Sequence, residues 1–303
     1  MQYICIIFLL SYSVAPRLIY GDTKHATLHN YFTDSRTKAS YKLAKKLTEI
    51  SGLTLNDEGR LFGHNDEEAW IFEIEPADGE IIKEFYLGNK KAKKGDFEGI
   101  AFAAGKFFLV TSTGDLYRFS EGKNNEGVRY DLFKTPLSGK YDVEGLCYDP
   151  DTNCLLLVCK GFAGEEFEEM RAVYSFNLDS LKLQPQPRFL LSIDGILSKL
   201  KQNFTRKLGE FFLLIDPKNF TPSGIERHPE SGTFYILSSR SQLVIELSPD
   251  GTVLELVELS AKSHHQPEGI TFLKDLSLVI SDEAGDKRAR ITIYPYHPSL
   301  NDQ

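Results

Sequence analysis

Four cysteines, two methionines and one tryptophan in 303 residues leave little room for several familiar chemistries. No Cys and His spacing of the zinc-binding kind is present, which excludes a structural zinc module. No Gly-x-Ser-x-Gly nucleophile turn and no glycine-rich phosphate loop appear, which removes the common hydrolase and nucleotide-binding signatures. Positive charge is also short, with 35 Lys and Arg against 43 Asp and Glu for a net charge of −8. That balance disfavours a nucleic-acid partner. The most apolar run, Ile4 to Val14, falls below the ~20 residues a membrane-spanning helix needs. What is abundant is different. A hydrophobic share of 41% and an aromatic share of 12% rule out a disordered chain, and Phe and Tyr suit strands better than helix bundles.

The Ile4 to Val14 run has the length of a signal-peptide core. No Lys or Arg precedes it and Pro16 follows Ala15, so it reads as an imperfect export signal or membrane anchor, with a buried strand as the alternative. Its removal leaves Cys147, Cys154 and Cys159, an odd set on neighbouring strands that is expected as buried thiols. The domain reading is residues 1–21 as signal peptide or anchor, 22–40 as linker, 41–298 as one folded unit and 299–303 as tail.

A short phrase recurs five times: Glu49-Ile50-Ser51-Gly52-Leu53, Asp96-Phe97-Glu98-Gly99-Ile100, Asp142-Val143-Glu144-Gly145-Leu146, Thr221-Pro222-Ser223-Gly224-Ile225 and Gln266-Pro267-Glu268-Gly269-Ile270. From Gly52 to Gly269 the glycines are 47, 46, 79 and 45 residues apart. Strand-like sequence with a period in the mid-forties marks a β-propeller with one four-stranded blade per repeat. The fold class is therefore all-β, with five blades by motif count. The 79-residue interval is expected to hold an inserted helix over Ser192 to Asn203, or a degenerate sixth blade in Phe189 to Ile215. The last repeat lacks an outer strand, and a strand within Tyr41 to Leu47 can supply it and close the circle. After each glycine the pattern alternates (Leu53-Thr54-Leu55, Ile100-Ala101-Phe102, Leu146-Cys147-Tyr148, Ile270-Thr271-Phe272), and only Ile225-Glu226-Arg227 breaks it with a charge pair.

Loops entering the inner strands and loops leaving the second strands open on the same end of a propeller. The first set supplies Glu49, Ser51, Asp96, Glu98, Asp142, Glu144, Ser223, His265 and Glu268, and the second His64, Asp66, Asp115, Lys160, Arg240, Asp282 and Glu283. Acids dominate. Two carboxylates ~5 Å apart at an effective dielectric of ~20 repel by roughly 3 kcal/mol. Such a ring must take up protons, recruit cations from the chain, or bind a metal. Hard oxygen donors point to Ca2+. The competing reading is that the glutamates only cap strand starts. The expected ligands are Glu98, Glu144 and Glu268 as an inner ring, with Asp96, Asp142, Asp115 and Asp282 as outer donors. Glu49, Ser51, His64, Asp66, Lys160, Ser223, Arg240 and His265 are expected to meet a ligand, and the Lys90 to Lys94 loop could bring cations beside the mouth.

Together these phrases, with Thr111-Ser112-Thr113-Gly114-Asp115, His228-Pro229 and Ser281-Asp282-Glu283, resemble the SdiA-regulated family of bacterial β-propellers, the YjiK/CarP group, over roughly Tyr41 to Pro298. The resemblance implies an envelope location, periplasmic, cell-surface or plasma-membrane-associated, and a link to calcium. A looser likeness to phytase-like propellers implies calcium-assisted phosphate-ester hydrolysis as an alternative to simple binding. A structural interaction scaffold is the third expectation. The partner is expected to be a small anionic ligand or a protein, with membrane contact only through the N-terminal segment and a monomeric state.

Overall fold

Alternation of apolar residues along short runs, with Gly, Asn and Asp between them, produces antiparallel hairpins throughout. The computed structural model describes residues 26–32, 38–165, 167, 170–192, 194–196, 198–199 and 220–298. These residues form five sheets, each beginning with one of the recurrent phrases. The inner strands are Ile50–Leu55, Phe97–Ala103, Val143–Asp149, Pro222–Arg227 and Pro267–Phe272. Each is followed outward by a second and a third strand in antiparallel order. The protein is an all-β, five-bladed propeller.

Between neighbouring blades lies an apolar layer. Phe62, Ile71 and Phe85 of the first blade meet Phe97, Phe107 and Phe119 of the second. Equivalent layers join the second to the third, the third to the fourth, the fourth to the fifth and the fifth to the first. The strand Cys154–Cys159 shows how period two builds this packing. Leu156 and Val158 face the fourth blade, whereas Leu155, Leu157 and Cys159 face the second. Cys147, Cys154 and Cys159 are buried free thiols, as expected.

The circle is sealed by the N-terminal segment. Ala39–Lys42 pairs antiparallel with Arg290–Tyr294, setting Tyr41 opposite Ile291. The closing strand thus lies earlier than the expected Tyr41 to Leu47, because Lys45–Leu47 turns as a 3-10 helix into the first blade. The preceding stretch was expected as linker, yet over 26–32 it is docked. Leu28 and Tyr31 are buried in the layer between the fourth and fifth blades. Glu246 holds this segment by accepting the backbone N–H groups of Thr27 and Leu28 at 2.8 Å each and the hydroxyl of Thr233 at 2.8 Å.

In the third blade the outer strand is split. Lys182–Leu183 pairs with Phe176 and Asn177, and Phe189–Ser192 pairs with Met170 to Val173. Pro185 and Pro187 stand between them, and proline cannot donate to a ladder. Phe189–Ser192 therefore belongs to the third blade and does not start a sixth. Residues 194–196 and 198–199 are helical, with the Ser192 hydroxyl accepting the Gly195 N–H at 3.2 Å as a cap. The remainder of the expected helix, the Ile4 to Val14 run and the tail lie outside the described residues. No helix among the described residues is long and apolar enough to cross a membrane.

Candidate functional site: an acidic mouth above a glycine waist

The five repeated glycines form a tight waist on the axis. A Cβ on Gly99 would stand 2.6 Å from the backbone nitrogen of Leu146, and one on Gly145 would stand 2.9 Å from Gly224 Cα. One on Gly224 would meet the Glu268 carbonyl at 2.7 Å, and one on Gly269 or Gly52 would press on the next inner strand in turn. Only glycine permits this approach of backbones. About 10 Å³ of space remains at the waist, room for about one water, so the two ends of the axis are separate compartments.

Each inner strand carries an irregularity at the residue before its glycine. The register slips between Phe97 and Gly99, Val143 and Gly145, Pro222 and Gly224, and Pro267 and Gly269, and between Ile50 and Leu53 in the first blade. A bulge leaves one residue unpaired and re-aims its side chain. The unpaired residues are Glu98, Glu144, Ser223 and Glu268, with Ser51 inside the first slip. Three carboxyls and two hydroxyls thus come to one level of the mouth. Ser51 Oγ lies 3.5 Å from Glu98 Oε2, and the Ser223 hydroxyl donates to the Pro267 carbonyl at 2.9 Å.

The electrostatics are those of crowded acids. Burial, and then the charges of Glu144 and Asp96, push Glu98 up to about 9. Burial, with Glu283 and Glu144 adding to it, raises Glu268 to about 8. Glu144 rises to about 7 by burial, restrained by Lys160, whose ammonium lies 2.7 Å from Glu144 Oε1 and 3.9 Å from Asp142 Oδ2. Desolvation opposes the charge on Lys160, but those acids hold its pKa above the usual lysine value. Glu283 reaches about 7 through burial and the nearby Asp66 and Glu49. Asp66 raises Glu49, and desolvation raises Asp66 itself. Asp142 holds a left-handed backbone with φ of 52°, a strained conformation of the kind found at functional sites. Backbone bonds from Phe97 N–H to the Asp66 carbonyl and from Val143 N–H to the Ser112 carbonyl tie the rim from blade to blade.

Several expected positions stand elsewhere. Asp282 is fully buried and bonded to His264 Nδ1 at 2.8 Å, while His264 Nε2 meets the Tyr294 hydroxyl at 2.6 Å. Strand alternation turns its neighbour Glu283 into the mouth instead. Asp115 faces Lys134 at 3.6 Å and is no part of the inner cluster. Asp96 accepts the Ser112 hydroxyl and adds to the charge on Glu98. Arg240 is exposed with no ion pair among the described residues, and His265 Nε2 bonds the Ala284 carbonyl at 3.0 Å. The lysine loop turns outward, with Lys94 on Glu68 and Lys93 over the Tyr117 ring. Lys160 is thus the cation that reaches the inner carboxyls.

His64, expected to meet a ligand, lies beside the glycine waist. It is fully buried, and its Nδ1 lies 2.9 Å from the Asn65 carbonyl. That bond assigns the proton to Nδ1 and leaves a bare lone pair on Nε2, which has no hydrogen-bond partner among the described residues. The Nε2 atom lies 2.7 Å from where a Cβ on Gly52 would stand, and burial holds the imidazole down to about 4, hence neutral. No group of three or more His, Cys, Asp or Glu stands in metal-binding arrangement among the described residues.

No curated protein matches the chain. Among solved structures, a glutaminyl cyclase from Myxococcus xanthus is similar at 14% identity, covering 84% of this chain and 93% of that one with a TM-score of 0.52. A virginiamycin B lyase from Staphylococcus aureus is similar at 15% identity, with 84% and 68% covered and a TM-score of 0.44. A PQQ-bound aldose sugar dehydrogenase from Streptomyces coelicolor is similar at 12% identity, with 85% and 98% covered and a TM-score of 0.47. At such identities likeness speaks for the fold alone. The SdiA-regulated family model matches residues 210–301, which hold the last two of the five ring phrases, so the chain is similar to that family over its last two blades.

Proposed function

We propose that this protein is a binding propeller whose acidic mouth takes up Ca2+ and, through it, a ligand or protein partner. The observation that carries this reading is the gathering of Glu98, Glu144 and Glu268 from three blades onto one level, each with a carboxyl driven upward. A divalent cation would relieve the desolvation and repulsion that hold protons on these groups. The donor set suits a hard cation, since carboxylates and the hydroxyl of Ser51 are oxygen ligands. The carboxyls have to rotate toward one another to coordinate, a rearrangement open to the long glutamate side chains. A location outside the cytoplasm belongs to the same proposal. It rests on the family resemblance and on the apolar run Ile4 to Val14, and a calcium affinity of about 0.1–1 mM would suit such a place.

Calcium-assisted hydrolysis of a phosphate ester takes second place. An anionic substrate needs cations at the mouth, and among the described residues Lys160 alone reaches the inner carboxyls.

Thermal melts with Ca2+ and with chelator test the proposal. Calcium is expected to raise the melting temperature at pH 7.5, and E98Q, E144Q and E268Q are each expected to remove most of that rise. Equal melting temperatures in calcium and chelator, or a calcium effect that all three variants retain, would reject it.

A further inference from the structure

The opposite end of the axis is built differently. There the inner strands end in a cup of about 170 Å³ to which all five blades contribute. Its wall is Leu55, Phe102, Tyr148 and Phe272, one from each of four blades. These occupy the third position after the repeated glycine. In the fourth blade that position is Arg227 and the one before it is Glu226, the departure from the repeat already visible in sequence.

Glu226 sits low in this cup. One of its oxygens accepts the Arg227 backbone N–H at 2.8 Å and the other the Thr271 hydroxyl at 3.1 Å. Arg227 also lines the cup and its charge favours the Glu226 carboxylate, but its side chain makes no close ion pair with it. The guanidinium is drawn to the third blade, with Nε 3.3 Å from Asp149 Oδ1 and a terminal nitrogen on Asp151. Glu226 therefore has no ion pair among the described residues, although burial strongly opposes its charge. Leu55, Phe102, Tyr148 and Phe272 share the cup with it, as do Thr54, Thr271, Arg227 and Pro229, and the residues corresponding to Glu226 in the other blades are Thr54, Ala101, Cys147 and Thr271.

A carboxylate at the base of an aromatic wall has one well-matched complement. A metal ion such as Ca2+ requires six or more oxygen donors, and the side-chain oxygens lining this cup are those of Glu226, Thr54, Thr271 and Tyr148, with the Arg227 guanidinium beside them. An organic ammonium ion instead satisfies both features, resting on aromatic faces and meeting the carboxylate. The volume admits a small ion or a single side-chain head and falls short of a drug-sized ligand. We propose that the cup formed by Leu55, Phe102, Tyr148 and Phe272 around Glu226 binds a small organic ammonium ion, either free or as the head of a lysine side chain. This site is independent of the acidic mouth, from which the glycine waist separates it.

The test is a titration of the full chain, followed by 15N-resolved NMR, at pH 8, where Glu226, pushed up to about 7 by burial, is ionised. The probes are tetramethylammonium, N-acetyl-lysine amide and the uncharged isostere neopentane-like alcohol, neopentanol. Saturable shifts of the amides of Phe102, Tyr148, Arg227 and Phe272 are expected with the cations and not with neopentanol. E226Q is expected to weaken binding at least about tenfold, as loss of a charge-assisted contact implies, and F102L to weaken it less. The spectra of both variants report that the fold is kept. Tighter binding of tetramethylammonium indicates a free ion, and tighter binding of the lysine amide a protein side chain. Absence of saturable shifts up to high millimolar probe, equal binding of neopentanol, or binding that survives E226Q and shifts the amides of Glu98 and Glu268 instead would overturn the proposal.

Discussion

At Glu98 the protein holds a carboxyl whose proton is retained far above the ordinary range. Its folded value of about 9 lies above the unfolded one, and Glu268 at about 8 behaves alike. Between the unfolded carboxylate range near pH 4.5 and these folded values, the unfolded chain binds fewer protons than the native one. Stability contributed by these groups is therefore complete at low pH and is lost as pH rises through that window. Metal-free protein is expected to melt at progressively lower temperature from pH 5.5 to pH 9. In E98Q and E268Q that slope should flatten, and at pH 8 both variants should melt higher than the parent without metal. A buried acid that lowers stability is a pattern common at binding sites. Differential scanning calorimetry across pH checks it, and an unchanged slope in both variants would contradict the account. Of the residues in the mouth, Glu98, Glu144 and Glu268 were legible because each precedes a repeated glycine. The choice of Glu283 over Asp282 could not be read, since it depends on which of two adjacent acids the strand end turns toward the mouth. His64 was placed among ligand-facing residues, but its bare Nε2 lone pair depends on a bond to its neighbour's carbonyl that sequence does not encode.

At the scale of elements, the decisive device is the bulge before each glycine. A regular inner strand would point Glu98 into the layer between blades, and the slip turns it to the axis. The glycine then lets the next strand approach, so bulge and waist are one feature. Gly99→Ala is expected to destabilise the protein by about 3 kcal/mol, the upper range for overpacking, because the added Cβ meets the backbone of Leu146 rather than a movable side chain. Denaturant unfolding measures it, and a loss under about 0.5 kcal/mol, typical of surface changes, would show that the waist is slack. The segment 26–32 is a second element whose role sequence concealed. Its polar, aperiodic residues read as linker, yet Glu246 acts as its cap from another blade. Glu246→Ala leaves the Thr27 and Leu28 N–H groups without that acceptor, each at a cost of about 1–3 kcal/mol. Early proteolytic cleavage near residue 32 is expected in this variant, and a digestion pattern like the parent's would contradict the docking.

Over the whole molecule, five blades and their closure were readable from the spacing of five phrases. The seal between Ala39–Lys42 and Arg290–Tyr294 gives the fifth blade its outer strand. Removing residues 1–43 exposes the edge of Arg290–Tyr294, an invitation to pair with another copy. Self-association on size-exclusion chromatography is the expected result, and a stable monomer would show that closure is dispensable. Circular symmetry also explains why the mouth is acidic at all, for it gathers residues as distant as Glu98 and Glu268 into one electrostatic unit. The most direct test of that unity is calorimetric titration of Ca2+ into the intact protein at pH 7.5, in two buffers of different ionisation enthalpy. Binding is expected to release protons, as the observed heat would show by differing between buffers, and E98Q should release fewer. Binding that releases none, or no binding at millimolar calcium, would contradict the central claim that these separated carboxyls form one cation site.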